Sequence, residues 1–261
     1  MSQHIPIGLE LYTLRKEFAQ SAEDALRETA KTGYNGVEFS IDHQHLYTAE
    51  YLKKLLVDNN LDCFGYLVMW EDMQKDTIQR TLDFNAALGN RSVAIGSAPV
   101  PLLKTEDGLK QVINELHRIH ETCIAQGFVT GYHNHDIEFS LAYHGNTVWD
   151  IICDAMPVNF PLVFDTGNAM NGGGDPITVV NKYSGRMRVV HAKPYSKTTH
   201  YAAMIGQDDI DWPQFMQLCI QHGKTEVFVV EYGNSVLYPP YESSRLCLQY
   251  LRSILASLPN V

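Results

Sequence analysis

Cysteine is scarce and unpaired in this chain. Of 261 residues only five are cysteine, at positions 63, 123, 153, 219 and 247, far apart and without a CxxC pair. They read as buried reduced thiols, which points to a reducing compartment rather than a disulfide scaffold. No apolar run approaches the roughly 20 residues that span a bilayer, and the N-terminal MSQHIPIGLELYTLRKEF lacks the basic-then-apolar order of a signal peptide. The expectation is a soluble cytoplasmic protein. Basic residues are also in short supply, 20 against 30 acidic ones, for a formal charge of −10 with the 11 histidines neutral. That balance argues against a dedicated nucleic-acid or anionic-membrane binder. No linker, charge block or low-complexity tract interrupts the chain. No GxGxxG or GxxxxGK[ST] follows the first strand-like run, which weighs against a doubly wound nucleotide-binding sheet. The glycine patch Gly172-Gly173-Gly174 comes late, after the sixth strand-like run, and reads as loop rather than phosphate cradle.

What is present is a regular alternation. Strand-like runs fall at 5–13, 36–40, 61–69, 91–97, 128–135, 160–166, 188–194 and 226–232, and amphipathic stretches with a 3.6-residue period separate them. The clearest follows Thr105, where Leu109, Val112, Ile113, Leu116, Ile119, Cys123 and Ile124 form one stripe and Gly127 stops it. Ser21 and Thr48 read as N-caps of two others, and the last helix carries Leu246, Tyr250, Leu251, Ile254, Leu255 and Leu258 on one face. Eight βα units in about 250 residues have the size and period of a single (β/α)8 TIM barrel, an α/β fold.

In a barrel, reactive side chains project from the C-terminal strand ends. Four consecutive strands end in charged or imidazole groups: His133-Asn134-His135-Asp136-Ile137-Glu138 on the fifth, Asp165 on the sixth, His191-Ala192-Lys193 on the seventh and Glu231 on the eighth. The steps from Glu138 to Asp165, His191 and Glu231 are 27, 26 and 40 residues, each about one βα unit, so the groups converge. Three carboxylates and an imidazole around one point repel unless a cation sits among them. Mixed oxygen and nitrogen donors without thiolate favour Mn²⁺, with Mg²⁺ or Co²⁺ as alternatives, over a structural zinc.

The motifs GYNGVEFS, GYHNHDIEF, FDTGNAMNGGGDP, VVHAKPYS and VVEYGN, with the turn from Gly206 to Trp212, resemble in register the sugar phosphate isomerase/epimerase group of the xylose-isomerase-like TIM barrels. The resemblance covers nearly the whole chain and implies one barrel domain over residues 1–261. It also implies one divalent metal held by Glu, Asp, His and Glu from the fifth to eighth strands. Carried over, Asp165, His191 and Glu231 match. The fifth strand reads Tyr132-His133-Asn134-His135 where many relatives place the Glu, so Glu138 is taken as the fourth ligand, with His133 or His135 as its replacement. Asn168 stands where the metal-rich apurinic endonucleases carry a His, and with the acidic balance this speaks against DNA repair.

The function expected is a metal-dependent sugar isomerase/epimerase, an enzyme of carbohydrate metabolism that works through an enediolate. Its partner is a small sugar or related polyol; neither nucleic acid nor membrane is expected, and a homo-oligomer is left open. Glu231 or Glu138 serves as base, with His133 the candidate that does not bind metal. Lys193 and His135 steady oxyanion charge, although Lys193 can equally be a plain ion-pair partner of Glu231. Glu38 either orients a ligand or pairs with a neighbouring cation. Tyr12, Trp70 and Tyr232 offer an apolar wall to a sugar ring. His117 and His120, on the fourth helix, read as structural. The same apparatus can expel a β-hydroxyl, so a dehydratase or lyase acting on a keto-sugar or inosose is the alternative. A sugar-binding barrel without chemistry is the third reading, motivated by the displaced fifth-strand Glu.

Overall fold

The computed structural model describes residues 5–40, 43, 45–234 and 237–258. Eight parallel strands close into one barrel, with β1 (Ile7–Glu10) pairing both β2 (Gly36–Phe39) and β8 (Val227–Val230). Between them run β3 (Asp62–Val68), β4 (Ser92–Ile95), β5 (Val129–His133), β6 (Leu162–Asp165) and β7 (Val189–Ala192), each hydrogen-bonded to its sequence neighbours. Every sequence-expected strand is present, a few residues shorter at its ends. A helix follows each: α1 (Ala22–Thr32), α2 (Ala49–Asp58), α3 (Ile78–Leu88), α4 (Glu106–Ala125), α5 (Val148–Ala155), α6 (Pro176–Lys182), α7 (Trp212–Leu218) and α8 (Pro240–Ser257).

Side-chain hydroxyls start these helices as the sequence suggests. Ser21, Thr48 and Thr105 accept from the backbone N–H groups of Asp24, Tyr51 and Gly108, each three residues on. Leu109, Val112, Leu116, Ile119 and Cys123 of α4 are buried, whereas Ile124 turns outward, one position past the stripe. His120 of that helix packs edge-on against Phe160, and His117 meets the Ala155 carbonyl, both structural contacts. All five cysteines are free; four are buried and Cys63 is half-buried. Among the described residues no helix is long and apolar enough to cross a membrane.

Two apolar clusters share the work. The larger lies between strands and helices; a second joins Leu67, Ala94, Val163, Val189, Val227 and Val229 with Phe64 against it. The pleat explains the division. Val227, Val229 and Glu231 alternate along one strand, as do Val189, His191 and Lys193 along the next, so an apolar plug of inward valines lies directly below inward polar groups. Beside the plug, β3 gains a residue against β2: Val37 pairs Cys63 and Glu38 pairs Gly65, leaving Phe64 as the bulge.

Gly36, in the GYNGVEFS segment, makes room for that bulge. A Cβ there would lie 2.3 Å from the Asp62 carbonyl oxygen and 2.8 Å from the Phe64 ring. The first atom is backbone and cannot swing away, so Gly36→Ala must shift a barrel strand. It is expected to cost about 2 kcal/mol or more, read as a lower denaturant midpoint with an unchanged slope.

His43 is fully buried, packs at a tilt against Phe18 with ring centroids 4.3 Å apart, and accepts the Ser40 N–H at Nδ1. Burial pushes its pKa from the ordinary 6.5 down to about 4. Below pH 6.5 the unfolded chain takes up a proton that the folded chain refuses until about pH 4, so stability falls as pH falls across that window. The slope is about 1.4 kcal/mol per pH unit, about 3 kcal/mol in full. Urea unfolding of wild type and His43→Leu between pH 7 and 4 should show this component only in the wild type.

Candidate active site

Four buried side chains from adjacent staves meet above the valine plug. His133, Asp165, His191 and Glu231 each offer one donor atom, and all four atoms lie within 4.8 Å of one another. Two observations show that the cluster could hold a cation. His133 Nδ1 faces the Gly96 carbonyl at 3.3 Å, which places its proton there and leaves Nε2 as a lone-pair donor aimed inward. That Nε2 and Asp165 Oδ2 are both buried and lack any hydrogen-bond partner, an arrangement too costly to keep without something to bind. On the opposite side, His191 Nε2 lies 2.6 Å from Glu38 Oε2 and its Nδ1 lies 3.0 Å from Glu231 Oε2. Glu38 thus holds the outer nitrogen of His191 as Gly96 holds that of His133, and both inner nitrogens face the centre. The residues present fit a divalent ion.

Asp165 shows how a capping residue and a ligand can be one side chain. Its Oδ1 accepts the Asn168 N–H at 2.6 Å and caps the short helix Thr166–Asn171, while Oδ2 faces the cluster. Asn134 fixes the backbone around it, accepting from Asp165 N–H at 2.8 Å and donating to the Asp165 carbonyl at 3.0 Å. Asn168 in turn donates to the Asn134 carbonyl and accepts from the Tyr201 hydroxyl. Asn168 therefore braces the loops over β5 and β6. The glycines after that helix serve packing: a Cβ at Gly172 would lie 2.2 Å from the Asp136 carbonyl oxygen, and one at Gly174 would strike the Phe139 ring.

The electrostatics are those of crowded carboxylates. Glu10, Glu38, Asp165 and Glu231 are all at most 6% exposed. Burial raises the Glu10 carboxyl well above its usual range, reinforced by Glu231 and Glu38. Burial also opposes charge on Glu231, but Lys193 and then His191 outweigh it and hold that carboxyl well below the usual range. Lys193 Nζ lies 2.7 Å from Glu231 Oε1 and 3.7 Å from Asp165 Oδ2. For His191, burial disfavours the charged ring, yet Glu38 and Glu231 on either side overcome this and raise its pKa well above the ordinary value. A cation held in the cluster would displace the inner proton of His191, so its binding would release a proton.

Asp165, His191, Glu231 and His133 converge, with Lys193 and Glu38 against them. Glu138 lies outside this set. Its Oε1 accepts the Tyr132 hydroxyl at 2.6 Å and its Oε2 accepts the His135 N–H at 2.8 Å, because the chain turns into the helix Ile137–Ser140 before reaching it. His135 stacks edge-on against His133, centroids 5.1 Å apart, and burial followed by the neighbouring His133 and Lys193 depresses its pKa to about 3, so it is a neutral ring. Tyr12 sits under the Arg15 guanidinium at 4.2 Å, and Trp70 lines a depression beyond the site. Tyr232 is buried and donates to the Ala202 carbonyl, a core role. Glu10 is the inward residue that sequence reasoning passed over. It pairs in register with Glu38 and ends the first strand, as Asp165 ends the sixth, so the same strand-end rule reaches it.

A family model described as xylose isomerase-like TIM barrel matches residues 26–254. The chain belongs to the xylose isomerase-like TIM barrel family. Within it, the chain is 24% identical over 192 residues to an inosose dehydratase of Bacillus anthracis, an alignment covering 66% of this chain and 62% of that protein. The chain thus spans less than two thirds of the length of the curated relatives it matches. A sugar phosphate isomerase/epimerase from Parabacteroides distasonis superposes with a TM-score of 0.81 at 21% identity, covering 96% of this chain and 95% of the other. A D-allulose 3-epimerase from Methylomonas sp. gives a TM-score of 0.72 at 14% identity, covering 97% and 100%. At these identities the superpositions establish the fold.

Glu38 meets the cluster through its hydrogen bond to His191. Glu38→Gln is expected to weaken Mn²⁺ binding about 10–100-fold in calorimetric titration, with the far-ultraviolet dichroism unchanged. Equal affinity in the variant would show that the ring needs no carboxylate behind it.

Proposed function

We propose that this chain is a divalent-metal-dependent sugar isomerase or epimerase, acting on a keto-sugar or related polyol through an enediolate. The observation that carries the reading is the buried nest of His133, Asp165, His191 and Glu231, with both imidazole tautomers pre-set and Lys193 on its rim. Two nitrogen and two carboxylate donors without thiolate suit Mn²⁺ or Co²⁺ better than Mg²⁺. Such an ion supplies Lewis acidity to a carbonyl and the adjacent hydroxyl, making the neighbouring C–H acidic. His133 offers a fourth donor where Glu138 was expected to stand, which supports a metal site over a barrel without chemistry.

The remaining roles follow from geometry. Glu231 is the proton acceptor: Lys193 keeps it ionised and fixes Oε1, so the carboxylate is poised to take a proton from a substrate carbon and return it to the other face or the adjacent carbon. Lys193, charged and only partly covered, donates to developing oxyanion charge. His135, neutral and with a buried Nδ1 lacking a partner, hydrogen-bonds a sugar hydroxyl. The valine plug beneath the site excludes water and strengthens each of these interactions.

Dehydration of a keto-sugar or inosose is the second reading, favoured by the inosose dehydratases among the sequence relatives. Both reactions begin with the same proton removal, and mass separates them. Incubation of ketoses and inososes with Mn²⁺ in D₂O is expected to give products differing only by deuterium; loss of 18 mass units would establish the dehydratase instead. Asp165→Ala is expected to abolish both Mn²⁺ binding and solvent exchange. If that variant retained full activity, or the wild type took up no divalent ion, the metal-enzyme reading would fall.

A further inference from the structure

Beside the cluster, above β3, β4 and β5, the barrel mouth carries two adjoining depressions that the proposed chemistry does not use. One, of 340 Å³, is bounded by His135 and Ile137 on one side and by Ser97, Ala98 and Val100 on the other. The second, of 180 Å³, shares those last three residues and continues to Trp70 and Met69. His135 is the wall between depression and cluster, its ring 5.1 Å from that of His133. Resting on the reading of the cluster as a ketose site, we propose that the substrate is a glycoside: a keto-sugar unit at the cluster carrying an uncharged glycosidic substituent seated in this double depression.

Three observations carry this. The first is volume, since the two depressions lie outside the donor cluster and add room beyond a single sugar ring. The second is charge. Among the described residues, neither depression is lined by a lysine or arginine while Asp136 and Glu71 line them, so a phosphate would meet like charge without a lysine or arginine to answer it. Trp70, Met69, Val100 and Ile137 instead offer apolar surface suited to the face of a second ring. The third is preorganisation. Glu138 receives the Tyr132 hydroxyl and the His135 N–H, and the Tyr132 hydroxyl in turn accepts the Ala98 N–H at 3.1 Å. One buried carboxylate thereby fixes the two loops that face each other across the larger depression, so little ordering cost remains for a ligand to meet.

The test is equilibrium dialysis of the Mn²⁺-loaded protein against D-fructose, its 6-phosphate, and the keto-disaccharides turanose, leucrose and isomaltulose, with bound sugar counted by mass. At least one disaccharide is expected to bind about 10-fold tighter than fructose, a gain of about 1.4 kcal/mol, and the phosphate no tighter than fructose. Val100→Trp and Ser97→Trp, at exposed positions shared by both depressions, are expected to bring the disaccharide-to-fructose ratio towards one. Fructose binding without any disaccharide advantage, a ratio unmoved by both tryptophans, or tightest binding by the phosphate would overturn the glycoside proposal and leave the ketose reading standing. Absence of any Mn²⁺-dependent ketose binding would overturn both.

Discussion

The structure is organised around the cost of burying negative charge. Glu10, Glu38, Asp165 and Glu231 come from four different strands and meet at one end of a barrel whose interior is otherwise apolar. An uncompensated carboxylate in such a place is costly enough to protonate or to unfold its surroundings. Each is therefore answered by something specific. Lys193 lies against Glu231 and near Asp165, His191 bridges Glu38 and Glu231, and Glu10 accepts the Tyr12 N–H as its pKa rises. The two atoms that make no hydrogen bond, His133 Nε2 and Asp165 Oδ2, are those that face the centre.

That constraint explains why the barrel itself was legible in the sequence. Strands buried on both faces read as nearly continuous apolar runs, so each polar residue at a run's end stands out, and the helices between carry ordinary caps and stripes. Eight βα units do not by themselves fix the strand order, which the pairing of β1 with β8 closes. The absence of a phosphate-binding glycine turn after β1 weighed correctly against the doubly wound alternative. Finer features depended on tertiary contacts: Phe64 as a bulge, and Gly36 as the space the bulge requires, exist only once β2 and β3 lie side by side.

The site was legible where the strand-end rule applies directly and obscure where the chain bends. Asp165, His191 and Glu231 sit at or just beyond strand ends and stand where that rule puts them. Glu138 lies five residues past His133, and by then the backbone has entered the helix Ile137–Ser140 and carried the carboxylate behind the loop. Counting residues along the chain treated the two positions as interchangeable, whereas one turn of helix separates their directions. Glu10 went unremarked because LELYT reads as one apolar strand with a single acidic residue, and its neighbours Glu38 and Glu231 are remote in sequence.

Glu138 also shows why a residue can match a motif and serve another part of the same site. A carboxylate that accepts from both a tyrosine hydroxyl and a backbone N–H has spent its strong acceptor directions, and burial leaves it no solvent with which to exchange them. Its influence passes instead through Tyr132 to Ala98 and through the backbone to His135, the ring that separates the donor cluster from the depressions beside it. The fifth strand consequently divides its labour. His133 turns inward to the buried donors, and Glu138 fixes the loops at the barrel mouth above them.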